Sequence, residues 1–455
     1  MRKLWLLSVA GTVAVSACMV DGTAQPGPPD PAGTGNSGNS ANAQAGSTLT
    51  PGMGGTGSNV PGAGTSSVSA GSASGGAGNV AGSSMGGAPT GGSSTGTGGT
   101  NVPIEGGGSG TETNPGKGNG FFPASILPSH AKTAYTNWKT KYLKMCSATR
   151  YRVAFNGDET VSEGIGYGML LTVGHGDRTE FDGLWGYYQD HESGGLMGWK
   201  ASGCGNNITD PNSASDADLD AAMALIQASC KWGGSYLSAA QTLIASIKAK
   251  ETIEGGQNYL KPASSGLDSC QNVSYYAPAY YRAFAKKKTD QAAFWNKLAS
   301  DSYTQLASAA NGSTGLVPNW SNMQGGAGCG GKPDGDRYGY DAARTPWRIA
   351  TDYVWNGTPA AKDYLTKLVT WVDSPATGGI TAIGDKYTLS GTKESPNHNS
   401  TFTGAFALAA MSQSQAKADL YGTAFRAISD GTYFEESLRA VYMLLAAGMF
   451  PNACD

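Results

Sequence analysis

The chain has 455 residues, a net charge of −3 and a calculated isoelectric point of about 5.9. Such a balance offers no basic surface for nucleic acid or for an anionic membrane, so neither is an expected partner. The 68 glycines are spread unevenly, and one Gly-rich stretch divides the chain into regions of different character.

The chain begins with a short basic and apolar segment. The apolar run Leu4–Ala17 follows a basic pair and is too short to span a bilayer. Its end, Val15-Ser16-Ala17-Cys18, resembles a bacterial lipobox, in which the cysteine becomes lipid-modified and N-terminal. Residues 1–18 are therefore interpreted as a lipoprotein signal peptide with lipid attachment at Cys18, and Met19 after it favours the outer membrane. The alternative is an ordinary signal peptide cleaved near Ala17, with the protein secreted.

A Gly/Ser/Thr-rich segment, residues 19–118, follows the signal peptide. It has almost no aromatic residues and only scattered charges, so it cannot bury enough apolar surface to offset the entropy of ordering. We expect a disordered tether with a root-mean-square reach of roughly 50–60 Å.

The remaining region, residues 119–455, is long enough for one sizeable core. Its even number of cysteines permits up to three disulfides in an exported domain, and the sequence does not select among the fifteen connectivities. Neither CxxC nor HExxH occurs, so we expect no metal and no cofactor. The six cysteines are Cys146, Cys204, Cys230, Cys270, Cys329 and Cys454.

Apolar residues recur at helical spacing throughout this region, and long alternating β-type runs are missing. About a dozen helices joined by Gly/Pro/Asn-rich loops predict an all-α domain, and an even number favours a closed barrel of helical hairpins. The predicted helices are His130–Met145, Gly164–Gly174, Thr179–Asp190, Ala217–Lys231, Leu237–Ala249, Ala277–Lys286, Asp290–Ala309, Ala343–Val354, Ala360–Asp373, Phe402–Met411, Lys417–Ile428 and Tyr433–Ala447.

Two long loops, Gly194–Ser215 and Asn311–Tyr340, precede particular helices. Long loops on a rigid scaffold commonly carry binding residues. Both loops are rich in Gly, Asn and Asp, and their aromatic residues are Trp199, Trp320, Tyr338 and Tyr340.

Three predicted helices begin with an acid: Glu163, Asp216 and Asp341. Each acid also has a purely structural interpretation. Glu163 could simply complement its helix dipole, and Ser215 with Asp218 matches a capping box at the start of the second helix. Asp341 could form a surface ion pair with Arg344. Asp220 and Asp352 are interpreted as ordinary acids that complement a helix dipole or form an ion pair.

Glycines follow Glu163 at positions 164, 166 and 168. Each costs on the order of 1 kcal/mol relative to alanine within a helix. The three glycines should leave the surface around Glu163 bare, so that something approaches the backbone closely. If alternate helices form an inner ring, the three acids meet at one end of the barrel. Acids surrounded by aromatic faces suit a neutral sugar polymer, because rings stack on pyranoses and paired carboxylates cleave glycosidic bonds.

Five motifs in order resemble those of glycoside hydrolase family 8 and together cover essentially the whole of residues 119–455. They are Ser162-Glu163-Gly164-Ile165-Gly166-Tyr167-Gly168-Met169; Ser213–Trp232 with its Ala214-Ser215-Asp216-Ala217-Asp218 core; Gly315-Leu316-Val317-Pro318-Asn319-Trp320; Tyr340-Asp341-Ala342-Ala343-Arg344 with Trp347-Arg348; and Asn397-His398-Asn399. The resemblance implies an (α/α)6 barrel that hydrolyses β-1,4-linked polysaccharides with inversion at the anomeric carbon.

The resemblance also implies a role for each matching residue. Glu163 is the general acid, Asp341 the general base, and Asp216 the third catalytic acid, which holds the central, distorted sugar. The expected substrate-binding residues are Trp199 as a stacking platform, with Tyr275, Tyr340 and Arg344 around the central subsite. Inversion predicts carboxyl groups of Glu163 and Asp341 roughly 6.5–9.5 Å apart. Because a helix dipole favours the ionised form, the mechanism requires burial or the charge of Asp216 to raise the pKa of Glu163.

Asp341 in the Tyr-Asp-x-x-Arg motif assigns the chain to the subgroup of cellulases and xylanases, and the motifs around Glu163 and Asp216 are similar to the endoglucanases. The predicted activity is an inverting endo-β-1,4-glucanase, a cellulase that acts as a monomer on external polysaccharide. The segment Asn258–Cys270 lacks the second Trp platform of that pattern, so chitosan, xylan and mixed-linkage glucan stay open as substrates. A non-catalytic glycan-binding surface protein is a further alternative, against which the intact acid and base argue.

Overall fold

The computed structural model describes residues 118–450 and residue 452, and the structural statements below concern those residues. Cys18, the predicted signal peptide, the predicted linker up to residue 117 and Cys454 lie outside the described residues.

Helices dominate the described part of the chain. The twelve α-helices are α1 (Pro128–Tyr142), α2 (Ser162–His175), α3 (Arg178–Asp190), α4 (Ser215–Trp232), α5 (Tyr236–Glu251), α6 (Pro278–Lys287), α7 (Ala292–Ala309), α8 (Thr345–Asn356), α9 (Pro359–Val372), α10 (Ser400–Ala410), α11 (Gln415–Ala427) and α12 (Tyr433–Ala446).

Each predicted helix has a counterpart among these twelve. The prediction His130–Met145 was too long at its C-terminal end, because the backbone becomes extended at Leu143 and pairs there with another strand.

The even-numbered helices form a closed inner ring, in which α2 contacts α4, and the contacts continue through α6, α8, α10 and α12 back to α2. Each odd-numbered helix packs outside its even-numbered partner: α1 on α12, α3 on α2, α5 on α4, α7 on α6, α9 on α8 and α11 on α10. The arrangement is an (α/α)6 barrel, as predicted. Since every outer helix returns the chain, the inner helices run in one direction and their N-termini share one end of the barrel.

Burial follows this two-layer order. In α2 every residue from Ser162 to Val173 is buried, and α10 is buried along its whole length, because inner helices are covered on all sides. The outer helix α11 buries only four residues, which lie along one stripe. None of the described helices is long and apolar enough to cross a membrane.

Short antiparallel strands lie in the loops, where periodicity predicted none. The strands are β1 (Leu143–Ser147), β2 (Arg150–Val153), β3 (Glu159–Val161), β4 (Lys200–Ser202), β5 (Ile208–Asp210), β6 (Thr252–Ile253), β7 (Tyr259–Leu260), β8 (Cys270–Gln271) and β9 (Ser321–Asn322). They pair as β1–β2, β3–β4–β5, β6–β7 and β8–β9. With two to five residues each, such strands are too short to leave a period-2 pattern in the sequence.

Two disulfides link these loops, Cys146–Cys204 and Cys270–Cys329. Cys230 is also disulfide-bonded. The disulfides were allowed by the even cysteine count, but their connectivity follows only from the fold.

Candidate active site

Glu163 is the second residue of α2 and lies at the end of the barrel where the inner helices begin. The extended residue Val161 is the N-cap, and no side chain caps the helix. Glu163 is only 8% exposed, and Oε2 of its carboxylate accepts a hydrogen bond of 2.8 Å from Nη1 of Arg344. Its Oε1 is buried without a protein hydrogen-bond partner among the described residues. Glu163 is therefore a buried carboxylate bound to a cation, and it does more than complement a helix dipole.

The glycines after Glu163 face other parts of the protein, which differs from the bare surface expected around the carboxylate. A Cβ at Gly166 would lie 3.0 Å from the backbone oxygen of Ala217 in α4. A Cβ at Gly164 would lie 2.4 Å from the hydroxyl of Tyr433 in α12. The close approach predicted from the glycines is real, but neighbouring inner helices make it.

Asp216 is the second residue of α4 and is 2% exposed. Its Oδ2 accepts a hydrogen bond of 2.6 Å from the same nitrogen, Nη1 of Arg344. The predicted capping box at this helix start was wrong. The Ser215 hydroxyl donates to the carbonyl of Lys261, and Asp218 is buried and accepts from the hydroxyl of Tyr188.

Asp341 lies immediately before a short 3-10 helix, Ala342–Arg344, that leads into α8. Its Oδ1 accepts a hydrogen bond of 2.7 Å from Nη2 of Arg344. Arg344 is 2% exposed, so this pair is part of the buried site and not a surface ion pair. The side chain of Asn319 holds the preceding loop, because its Oδ1 accepts from the backbone N–H groups of Gly339 and Ala342.

The guanidinium of Arg344 thus joins all three predicted acids. It also lies 5.0 Å from the ring centre of Tyr275 and 5.8 Å from that of Phe434, where the negative ring faces stabilise a cation. One buried arginine with three carboxylates leaves net negative charge in the site, which favours keeping a proton on one of the acids.

The three carboxylates line one cleft. Trp199 and Tyr275 lie in its wall, together with Lys200 from β4. The Nε1–H of Trp199 is buried without a protein hydrogen-bond partner among the described residues. The cleft is lined by Phe155, Val161, Ser162, Glu163, Trp199, Lys200, Ala214, Asp216, Tyr275, Asp341 and Arg344.

Tyr340 lies beside the cleft and is not among the residues that line it. Its hydroxyl donates to Oδ2 of Asp385 at 2.7 Å and accepts from the side-chain amide of Asn399 at 3.1 Å. Its ring packs edge-on against Phe402 and Phe434. These contacts hold Tyr340 within the wall behind Asp341.

Burial raises the pKa of Glu163 to about 8, although the charge of Arg344 opposes the shift. The negative charges of Asp216 and Asp341 add to the effect of burial. Both causes anticipated from the sequence are therefore present. Burial likewise raises the pKa of Asp341, but Arg344 and the hydrogen bond from Asn272 hold it down. This environment therefore favours a proton on Glu163 near neutral pH.

Beneath the site, a second buried ion pair joins the inner helices. Arg348 of α8 donates through both terminal nitrogens to the carboxylate of Asp220 in α4. In a similar way Asp352 binds Arg282 and the hydroxyl of Tyr303. Asp220 and Asp352 are thus pairing acids, as predicted.

Two groups that contact the site were not singled out from the sequence for that role. Asn272 donates a hydrogen bond to Asp341. The only feature of the sequence that could have pointed to Asn272 is its position in a loop, three residues before Tyr275. The carboxyl pair of Asp218 and Glu251, linked by a hydrogen bond, lies behind the start of α4. The two partners are far apart in the sequence, so no spacing rule could have found the pair.

Comparison with known proteins gives concordant results. The sequence profile described as glycosyl hydrolases family 8 matches residues 123–448. The chain is 37% identical to Endoglucanase 2 of Ruminiclostridium josui over 338 residues, covering 70% of this chain and 71% of that protein. It is 37% identical to Endoglucanase A of Acetivibrio thermocellus over 362 residues, with 73% of each chain covered. Among solved structures, the apo β-1,3-1,4-glucanase of Paenibacillus sp. X4 is 30% identical, with a TM-score of 0.67 over 72% of this chain and 95% of that one.

Proposed function

Because the chain belongs to glycosyl hydrolase family 8, we propose that it cleaves β-1,4-glucan with inversion, using Glu163 as the general acid and Asp341 as the general base. The protein is a glycoside hydrolase of the endoglucanase, or cellulase, type, as its relatives at 34–37% identity are. The assignment of residues to steps is the part that we propose.

Glu163 protonates the glycosidic oxygen as the bond to the anomeric carbon breaks. A carboxylic acid with a pKa of about 8 is still protonated at neutral pH, which a general acid requires. Burial in the cleft wall supports this role, because desolvation disfavours the ionised form.

Asp341 accepts a proton from the water that attacks the anomeric carbon from the opposite face of the ring. Its carboxylate and that of Glu163 bind different nitrogens of the Arg344 guanidinium. Inversion requires the two carboxyl groups to be roughly 6.5–9.5 Å apart, which leaves room for a water, and this separation stays a prediction.

Asp216 holds the central sugar through its hydroxyls and supplies charge that keeps Glu163 protonated. Arg344 orients the three acids, while Trp199 and Tyr275 present ring faces to neighbouring sugars. Tyr340 supports this central subsite through its contacts with Asp385 and Asn399.

The observation that carries the proposal is that three carboxylates from three inner-helix starts meet on one buried guanidinium in an aromatic-walled cleft. A proton NMR time course on a β-linked glucan tests the stereochemistry, since inversion forms the α-anomer first. Initial formation of the β-anomer would contradict it. Asp341→Asn should abolish turnover while the fold is retained.

Hydrolysis of a panel of polysaccharides tests which polymer is the substrate. Carboxymethylcellulose should be hydrolysed, and mixed-linkage β-glucan is the second candidate because a structural neighbour is a β-1,3-1,4-glucanase. Faster turnover of xylan or chitosan would overturn the glucanase assignment. If none of these four polymers released reducing sugar, the result would favour the alternative of a non-catalytic glycan-binding protein.

We further propose that residues 119–455 form the catalytic domain of a monomeric lipoprotein, anchored at Cys18 in the cell envelope and joined to the anchor by residues 19–118. The support is the lipobox-like Val15-Ser16-Ala17-Cys18 and the composition of the segment after it. Cys18→Ser should abolish labelling by radioactive palmitate and release active enzyme into the medium. An unlabelled wild-type protein would favour simple secretion. Light scattering should give the mass of one chain.

A further inference from the structure

The proposed base, Asp341, is bound by two donors besides Arg344. The side-chain Nδ2 of Asn272 donates to its Oδ1 at 3.1 Å, and Nε1 of Trp320 donates to its Oδ2 at 3.1 Å. Each carboxylate oxygen therefore has a donor on a different loop, so the pair of donors fixes the rotation of the carboxylate plane.

A two-stranded sheet connects those donors. In the pair β8–β9, Cys270 is opposite Asn322 and Gln271 is opposite Ser321. Asn272 follows β8 directly and Trp320 precedes β9 directly. Continuing the antiparallel register by one step places the two donors opposite each other.

The disulfide Cys270–Cys329 joins the two loops beside this sheet. Cys270, Ala263 and Leu267 are buried and form a small apolar cluster with Trp320, and Cys329 packs against that cluster. The backbone N–H of Gly328, next to Cys329, donates to the carbonyl of Trp320 at 2.7 Å. The cross-link thus restrains both the strand that directly precedes Asn272 and the loop that supports Trp320.

Neighbouring hydrogen bonds fix the orientation of the Asn272 amide. Its Oδ1 accepts from the backbone N–H of Ser274 at 3.1 Å and from the hydroxyl of Ser274 at 2.6 Å. The amide oxygen is therefore engaged, and the NH₂ group is directed at Asp341. Reversing the amide would turn its oxygen towards a carboxylate, which is repulsive.

We propose that Asn272 and Trp320 are positioning residues for Asp341, and that the Cys270–Cys329 disulfide holds the two donors together as one unit. The inference rests on the proposed role of Asp341 as the base. The donors aim the carboxylate at the attacking water and stabilise its ionised form, because both hydrogen bonds lower the pKa of Asp341 against the effect of burial. A misaimed base loses rate even where the substrate still binds.

The test compares Asn272→Ala, Trp320→Phe and a Cys270→Ala/Cys329→Ala double variant of the full enzyme. For each, kcat and KM on carboxymethylcellulose and the pH dependence of kcat are measured. We expect kcat to fall roughly 10- to 100-fold for the two point variants, with KM changed less than threefold. The acidic limb of the pH profile should move to higher pH, because Asp341 must be ionised and its pKa rises when a donor is lost.

The chain offers a matched control in the disulfide Cys146–Cys204. It closes a sequence separation of 58 residues against 59 for Cys270–Cys329, so removing either should lower the unfolding temperature by a similar amount. Only the Cys270–Cys329 variant should also shift the acidic limb. If both double variants shift it equally, or neither does, the disulfide has no special role in positioning the base.

Asp341→Asn separates failure of the inference from failure of the proposed function. Wild-type turnover in Asp341→Asn would remove Asp341 as the base, and the positioning role with it. An inactive Asp341→Asn, together with unchanged kcat and acidic limb in Asn272→Ala and Trp320→Phe, would overturn the inference alone. The two point variants keep the disulfide, so they test the donors even if the cysteine variant does not fold.

Discussion

The carboxylates of Glu163 and Asp216 accept hydrogen bonds from the same nitrogen, Nη1 of Arg344, at 2.8 and 2.6 Å. Two acids thus share one cation donor in a buried site. Burial and the charge of Asp216 both favour a proton on Glu163. The fixed charges therefore favour a protonated Glu163 before substrate binds, which its proposed role as the general acid requires.

Glu163→Gln should abolish turnover without unfolding the protein. The amide has nearly the same shape and can still accept a hydrogen bond from Arg344, but it cannot deliver the proton. We expect kcat on carboxymethylcellulose to fall by about 10²- to 10⁴-fold, with an unchanged circular dichroism spectrum. Glu254→Gln changes an exposed acid in a loop and is the control. Near-normal activity of Glu163→Gln would remove it as the acid.

The alkaline limb of the pH profile should reflect the ionisation of Glu163. Since the acid must be protonated, kcat/KM should decrease as the pH rises through about 8. In Asp216→Asn a neighbouring negative charge is lost, which lowers the pKa of Glu163 and moves the alkaline limb to lower pH. Residual activity of Asp216→Asn at several pH values, at constant ionic strength, measures the shift. A limb that stays in place or moves upward would show that Asp216 does not raise the pKa of Glu163.

Asp218→Asn should change how stability depends on pH. Burial raises the pKa of Asp218 to about 7, and this acid is hydrogen-bonded to Glu251. A pKa above that of the unfolded chain means that the folded state holds the proton more tightly. The resulting stabilisation is complete below about pH 4 and is lost progressively as the pH rises to about 7.

In Asp218→Asn that loss should be smaller, because an amide stays neutral, can donate to Glu251 and can still accept from Tyr188. Unfolding temperatures between pH 4 and pH 8 test this, with Asp363→Asn as an exposed control. Equal slopes in Asp218→Asn and wild type would show that the carboxyl pair holds no shared proton.

Gly164→Ala should destabilise the barrel. The new Cβ would lie 2.4 Å from the hydroxyl of Tyr433, whose ring is packed edge-on against Tyr142 and Phe155. Overpacking costs about 1–3 kcal/mol, against a gain of about 1 kcal/mol in helix propensity. The free energy of unfolding in urea should fall. Gly312→Ala, where no atom lies within 4 Å of the new Cβ, should leave it unchanged. A more stable Gly164→Ala would mean that Tyr433 moves aside freely.

Helical periodicity was sufficient to predict the barrel, because each helix buries apolar residues at a spacing that is visible locally. The predicted capping box at Ser215 and Asp218 was wrong for a tertiary reason. A capping box requires side chains free to bond the local backbone, whereas Asp218 is bound to Tyr188 and Glu251 from other elements. Local spacing carries no information about those partners.

The glycines after Glu163 also show the difference between a local sequence signal and a tertiary contact. Their cost in a helix correctly predicted a close approach, but the approaching groups belong to α4 and α12. Which surface a glycine faces depends on how the helices are arranged around the barrel.

By itself the sequence determined the number of helices, the acids at their starts and the likeness to family 8, since these depend on residue type and on spacing within short segments. Only the tertiary structure decided that Arg344 binds all three acids, and that Asn272 and Trp320 bind Asp341. These contacts join residues up to 181 positions apart, and closure of the ring brings them together. Burial follows from the same closure. Burial raises the pKa of Glu163 because the low-dielectric interior penalises its charge. That interior forms only when the helices pack together, so it cannot be read from a single segment of the sequence.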